Sequence, residues 1–240
     1  MTPEHPQADP PATPITELTD PRVLSILSTE HWSLLSARSL AYNEAFTRGG
    51  MFLSFLSMSF VALALLAQAM TFGNQFLVVA AILLAFDFVI GLTTYGRITG
   101  ANIDDLRALH GMARIRHAYT QVAPVVAPYF TTATHDDVDT VTGAYSAPAG
   151  GVGQLLYALS TSGGMIGLIV AMVGGVLTGV LGLLVGVSGD AAVWIGVVGA
   201  VVVFVVLVMV TFGSVPRVQA GMEARFPAPA AKGEGEDLPA

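Results

Sequence analysis

Phe76–Tyr95, FLVVAAILLAFDFVIGLTTY, decides how the chain is read. Its twenty residues carry a single charge, Asp87, close to the midpoint. A helix of that length, at ~1.5 Å rise per residue, matches the ~30 Å hydrocarbon core of a bilayer. A carboxylate at mid-membrane costs at least ~2.5 kcal/mol, so its presence calls for a reason.

Three more apolar blocks lie outward from this stretch, at 51–72, 164–187 and 191–213, with ordinary polar sequence between them. The chain is 53% hydrophobic and 11% charged, against about 25% charge in soluble domains. Apolar residues gathered in blocks point to a membrane protein, not to a greasy globular one. The predicted fold class is all-α: a polytopic membrane protein with four transmembrane helices in two hairpins, plus amphipathic cytoplasmic helices. The absence of cysteine excludes disulfides, thiol catalysis and thiolate metal sites. The first fifty residues lack an apolar h-region behind a basic start, so the first span is expected to direct its own insertion. The net charge of −7 comes mainly from the two tails and the 130s and implies no acidic binding surface.

Taken in order, residues 1–20 hold five prolines and read as a disordered tail. Asp20-Pro21 is a helix start, with Asp as N-cap and Pro at the first helical position. Residues 21–50 form the predicted amphipathic helix, with Trp32, Leu35, Ser39, Tyr42 and Phe46 on one face. That stripe can dock on the membrane, on a neighbouring subunit or within the protein, and docking within the protein is the expectation. Gly49-Gly50 reads as a joint before the first hairpin, 51–95. Its short link around Gly73-Asn74-Gln75 makes the two spans antiparallel neighbours. The arithmetic of depth brings Ser57 or Ser59 level with Asp87.

Residues 96–162 are read as a cytoplasmic helix and loop. Asn102 or Asp104 would cap a helix running to about Val122, ended by Pro124 and Pro128. Thr131–Ala149 reads as a loop, 150–153 as a flexible joint and 154–162 as a helical lead-in. The second hairpin, 163–213, is Gly-rich, with Ser188-Gly189-Asp190 as its turn. Gly163, Gly167, Ala171, Gly175 and Gly179 make one ladder of small residues; Gly174, Thr178, Gly182 and Gly186 make a second. Such faces let helices approach closely in lipid. The expectation is that one ladder packs on Ala192, Gly196 and Ala200 of the last span and the other serves a subunit contact. Pro216 is expected to end the last helix, with 214–240 a disordered tail.

All ten basic residues fall on one side of this topology. They are Arg22, Arg38 and Arg48, then Arg97, Arg107, Arg114 and Arg116, then Arg217, Arg225 and Lys232. By the positive-inside rule that side is cytoplasmic, with both termini there, in a bacterial inner membrane.

Candidate chemistry is sparse. Asp87 is either a protonatable or ion-binding carboxylate, or a structural acid hydrogen-bonded to Ser57 or Ser59. Arg107, His110, Arg114 and His117 share a helix face, which is either solvated or in contact with anionic lipid headgroups or phosphate. His110 and His117 are two turns apart and cannot share a metal ion. The cluster His135, Asp136, Asp137 and Asp139 lacks EF-hand spacing and reads as a polar loop. No metal, cofactor or nucleic-acid partner is implied, and no motif of catalysis is present.

The stretches TEHWSLLSARSLAYNEAFTRGGMF (29–52) and TYGRITGANIDDLRALHGMARIRHAY (94–119) resemble four-span integral membrane proteins of high-GC bacteria. That resemblance, over roughly 25–215, implies a four-span bundle and supplies no activity. The functional expectation is a non-enzymatic membrane subunit, either homo-oligomeric or bound to another membrane protein. The alternative is a small proton- or ion-coupled transporter or channel using Asp87.

Overall fold

The protein's structure, a computed structural model, describes residues 17–70, 73–143 and 151–229, excepting the side chains of 151–152, 154–155 and 214–219. The expected disorder at 1–16 and 230–240, and the part of the loop at 144–150, lie outside the described residues. The helices are α1 (Pro21–Ala69), α2 (Asn74–Val122), α3 (Val138–Thr142), α4 (Gly151–Ser160), α5 (Ser162–Leu184) and α6 (Gly189–Ala220), with a 3₁₀ turn at Pro124–Tyr129. No strand occurs among the described residues. Four of the helices, α1, α2, α5 and α6, are long and apolar enough to cross a membrane.

Helix α1 starts as read: Asp20 accepts a 2.8 Å bond from the Arg22 amide, and Pro21 opens the first turn. The expected joint at Gly49-Gly50 is absent. The helix runs unbroken for 49 residues, about 73 Å. Two mid-helix glycines cost about 1 kcal/mol each relative to Ala. Buried Ala45 and Phe52 on either side anchor the helix across that weak point. Helix α2 likewise runs 49 residues through Asn102 and Asp104, which therefore cap nothing. Its end at Val122 is where the sequence put it.

The pairing of α1 with α2 keeps one antiparallel register along its whole length. Ser59 meets Asp87, Glu44 meets Arg97 and Arg38 meets Asp105. Phe52 abuts Gly91, and Leu34 abuts Gly111. From the first pair to the last, the α1 number falls by 25 (59 to 34) while the α2 number rises by 24 (87 to 111). The hairpin is thus one rigid object that leaves the apolar zone and continues as a polar arm.

The packing order is α1, α2, α5, α6, each helix against the next. Helix α5, like α2, is interior, and its glycines face both ways. Gly167 lies under the Tyr95 ring and Gly174 under Phe88, both from α2. Gly175 and Gly179 lie against Gly196, Ala200 and Ala192 of α6. The expectation of a spare ladder for a subunit contact is therefore overturned. Rungs of both ladders are covered within the chain, Gly167 and Gly174 by aromatic rings of α2 and Gly175, Thr178, Gly179 and Gly182 by α6, a fit invisible to spacing alone. Gly163 makes only ordinary contacts with Ile98 and Asn102, Gly182 does the same with Ile195 and Ala192, and Ala171 is buried. Gly186 is a helix stop instead of a ladder rung. At φ +87° it takes the left-handed conformation, its amide bonding Leu183 and the Val187 amide bonding Gly182, the pattern that closes helix C-termini. The turn thus precedes Gly189, the first residue of α6. Helix α6 also passes Pro216 and ends at Ala220. Proline removes one backbone bond and kinks a helix, but the remaining bonds of a 32-residue helix persist.

Gly91 is the point where α1 and α5 both press on α2. A Cβ there would sit 2.7 Å from Val170 Cγ2 and 3.0 Å from two Phe52 ring atoms, both side chains being wholly buried. Gly91→Ala is expected to destabilise by about 1–3 kcal/mol through overpacking. Gly100→Ala in the same helix meets nothing within 4 Å and is expected to stabilise by about 0.5–1 kcal/mol. Unfolding of both variants in mixed micelles checks the pair; two shifts of the same sign would refute this account of the junction.

Candidate functional site

Three polar constellations stand on this frame. The first is in the apolar zone. Asp87 is 2% exposed, and Ser59 Oγ donates to its Oδ1 at 3.0 Å. Ser57 is not its partner, since its hydroxyl donates to the Leu53 carbonyl of its own helix at 2.8 Å. Asp87 Oδ2 has no hydrogen-bond partner. An unsatisfied buried oxygen costs of order 1–3 kcal/mol. The acid therefore holds unused bonding capacity at the α1–α2 interface. Nearer the polar end, the Tyr95 hydroxyl lies 2.6 Å from Thr211 Oγ1 and donates to the Leu207 carbonyl at 3.3 Å, tying α2 to α6 across Gly167.

The second constellation locks the polar arm. Arg38 of α1 bonds the buried Asp105 of α2 through Nε. Half-exposed Glu44 receives Arg97 through two bonds, 2.7 and 3.1 Å, and Arg48 at 3.1 Å. The Arg97 bonds outweigh burial and draw the Glu44 carboxyl below its usual pKa. Such bidentate pairs fix orientation as well as supplying energy.

The third lies at the far end of the arm and was read only as a polar loop. Asp136 is wholly buried. It accepts from Arg114 Nε at 2.7 Å, from the Arg225 amide at 2.9 Å and from the Phe226 amide at 2.7 Å. Burial pushes its pKa up, but the Arg225 amide, the Arg114 guanidinium and the Phe226 amide together hold it down at about 2. Asp137 accepts the Thr140 amide as N-cap of α3 and the Ala228 amide at 3.0 Å. Arg114 Nη2 donates to the Glu223 carbonyl at 2.6 Å, and the Phe226 ring stacks on His117 at 4.5 Å. Residues 223–228 are thus strapped onto α2, a correction to the disordered tail expected from 214. The physical reason is a set of carboxylate–amide bonds between positions about ninety apart, which composition does not register.

The same strap corrects the reading of the basic stripe. His110 is 6% exposed, Arg114 is engaged by Asp136 and Glu223, and His117 lies under Phe226. Arg107, paired loosely with Asp104 at 3.2 Å, is the most open to water, and Arg114 is about a third exposed. The chain itself therefore covers part of this face, over His110 and His117. Between stripe and strap lies a cavity of about 650 Å³, lined by Arg107, His110, Arg114, Met222, Glu223 and Arg225. Neither ring nitrogen of His110 has a hydrogen-bond partner, and Nε2 stays 3.7 Å from Asp136 Oδ2. Burial and then Arg114 lower the imidazole pKa, against the opposing pull of Asp136 and the Glu223 carbonyl. No group of three or more metal-ligating side chains occurs among the described residues.

Asp136→Ala leaves Arg114 and two amides without their acceptor, and is expected to cost the strap about 3–5 kcal/mol, as for a broken buried pair. Hydrogen exchange of the 225–228 amides measures it; unchanged protection would rule out the clamp. Because the folded pKa of Asp136 is depressed, its stabilisation is complete above about pH 4 and is lost as pH falls toward about 2. Strap release on acidification should follow that window, read by the same exchange experiment in an Asp137→Asn background. Comparison with family models, curated proteins and solved structures gave no match.

Proposed function

We propose that the chain is a non-enzymatic membrane subunit that self-associates through its polar arm, in a bacterial inner membrane with both termini cytoplasmic. The observation that carries this is the open apolar surface of α1 at Trp32, Leu35 and Phe46. The arm packs on α2 through Leu34, Arg38 and Ala45, which leaves the other side open. There Trp32 is 64% exposed, Phe46 59% and Leu35 40%, with the Tyr42 ring stacked on Phe46. Among the described residues Trp32, Leu35 and Phe46 stay exposed, while Tyr42 turns toward Asp105 of α2, so the expected internal docking is met at that residue and not at the others. The stripe also cannot lie flat on a bilayer, because the same unbroken helix goes on to become the first span.

Large aromatic and apolar side chains at helical spacing on a polar arm are what interface cores are built from. A second copy is the occupant this reading commits to. Two arms that rise from one membrane plane at the same height bring identical stripes level with each other, the condition for a two-fold contact. Orientation rests on the ten basic residues, all on the arm side of the spans. The separation of Asp87 and Ser59 from the Arg, His and Asp groups of the strap supports a structural role over an enzyme site. A Trp32→Glu/Phe46→Glu double variant is expected to weaken self-association at least ~10-fold, about 1.4 kcal/mol. Mass photometry of wild type and variant in lipid nanodiscs reads this. A monomeric wild type would overturn self-association and leave the stripe to a different subunit.

A second reading, proton- or ion-coupled transport, is favoured by the unpartnered Asp87 Oδ2 alone. In proteoliposomes Asp87→Asn would then abolish proton or ion flux without altering assembly. Equal flux through wild type and variant would dismiss transport.

A further inference from the structure

The cavity between the basic stripe and the strap is not used by the assembly reading, and its chemistry is specific. Three arginines and one histidine line it, each able to donate a hydrogen bond. Arg114 spends Nε on Asp136 and Nη2 on the Glu223 carbonyl, leaving Nη1. The Arg107–Asp104 pair is exposed on both sides, and such pairs contribute little, so Arg107 is readily recruited. Arg225 holds Asp136 through its backbone amide, while its guanidinium makes no hydrogen bond or ion pair among the described residues. His110, nine-tenths buried, lacks a partner at both ring nitrogens.

Charge has to be weighed against this. Asp136 is saturated and buried beneath the floor, so its charge is spent on Arg114 and two amides. Asp104 is loosely held at the edge. Glu223 is the acidic residue in the lining, and it opposes an anion. The remaining balance is modest in charge but rich in directed donors, which suits a group that takes many hydrogen bonds over a small area. Planar guanidinium forks match the oxygens of phosphate. A volume of about 650 Å³ is within the usual range of small-molecule sites and far exceeds a single inorganic ion.

We propose that this cavity binds a soluble phosphomonoester, its phosphate held by Arg107, Arg225 and the free edge of Arg114, with His110 contributing its N–H. The phosphate of a lipid headgroup has the same chemistry, and distance separates the two sources. On the continuous helix α2, Arg107 lies twelve residues past Tyr95 and Arg114 nineteen. These are about 18 and 28 Å along the axis. The headgroup layer is only about 5–8 Å deep on each side. The site stands clear of the bilayer, and it is made jointly by α2 and the strap, so a bound phosphate staples the two together.

Two substitutions test this without touching the clamp, since residues 223 and 225 hold the strap through backbone atoms. The full chain in phosphatidylcholine nanodiscs is titrated with glycerol phosphate and, separately, with inorganic phosphate, at fixed ionic strength. Wild type is expected to bind the ester, Arg225→Gln to bind at least ~10-fold more weakly, and Glu223→Gln several-fold more tightly, with exchange protection of residues 225–228 unchanged in both. Equal affinity in wild type and Arg225→Gln, weaker binding in Glu223→Gln, or no binding at all would overturn the proposal. A third arm replaces some phosphatidylcholine with phosphatidic acid and adds no soluble phosphate. If protection of the strap then rises in wild type and falls away in Arg225→Gln, the source is lipid and the soluble assignment is wrong. If it does not change, the soluble assignment stands.

Discussion

Lipid offers the backbone no hydrogen-bond partners, so a spanning segment must satisfy its own amides and carbonyls, and a helix does so completely. In this chain the solution is carried past the apolar zone without interruption: α1 and α2 remain helical for 49 residues each. The register chosen at Phe52–Gly91 therefore cannot be changed farther out. It determines that Arg38 faces Asp105, that Glu44 faces Arg97, and that Trp32 is left exposed. A slip of one residue would turn every one of these contacts aside by about 100°.

Burial of charge follows a consistent rule along the hairpin. Where water is remote, Asp87 is offered a neutral donor, Ser59. Where the arm is partly wet, Asp105 and Glu44 receive arginines. At the far end Asp136 is enclosed, and the cost of removing it from water is offset by one guanidinium and two amides. Asp105, Glu44 and Asp136 have charged or amide partners suited to their surroundings, while Asp87 keeps one oxygen unsatisfied. Asp136 in particular converts a short tail segment into part of the folded structure, and in doing so creates the cavity that holds Arg225 beside Arg107 and Arg114.

The second hairpin solves a different problem. With no hydrophobic effect to drive helices together inside a membrane, close approach must come from shape. Helix α5 supplies it on two sides, meeting small residues of α6 at Gly175 and aromatic rings of α2 at Gly167 and Gly174. Helix α6 then keeps a broad valine-rich surface outward, including Val197, Val201 and Val205. Tyr95 joins the halves, since its ring rests on Gly167 while its hydroxyl reaches α6.

The order of residues was enough to determine the number of apolar helices, their pairing into hairpins, the cap at Asp20-Pro21 and the level of Asp87 opposite Ser57 or Ser59, between which only the structure chose. These depend on length, composition and short links, quantities that local sequence contains. Only the tertiary structure decided which faces were occupied. Gly49-Gly50 has the composition of a joint, but flanking burial at Ala45 and Phe52 carries the helix through it. Ladders of small residues look alike whether they meet another subunit, α6, or a Tyr95 ring. Asp136 and Phe226 are ninety positions apart, and nothing in either neighbourhood announces the other. Spacing states what a face is made of; what covers it depends on residues distant in the chain, and only folding brings those together.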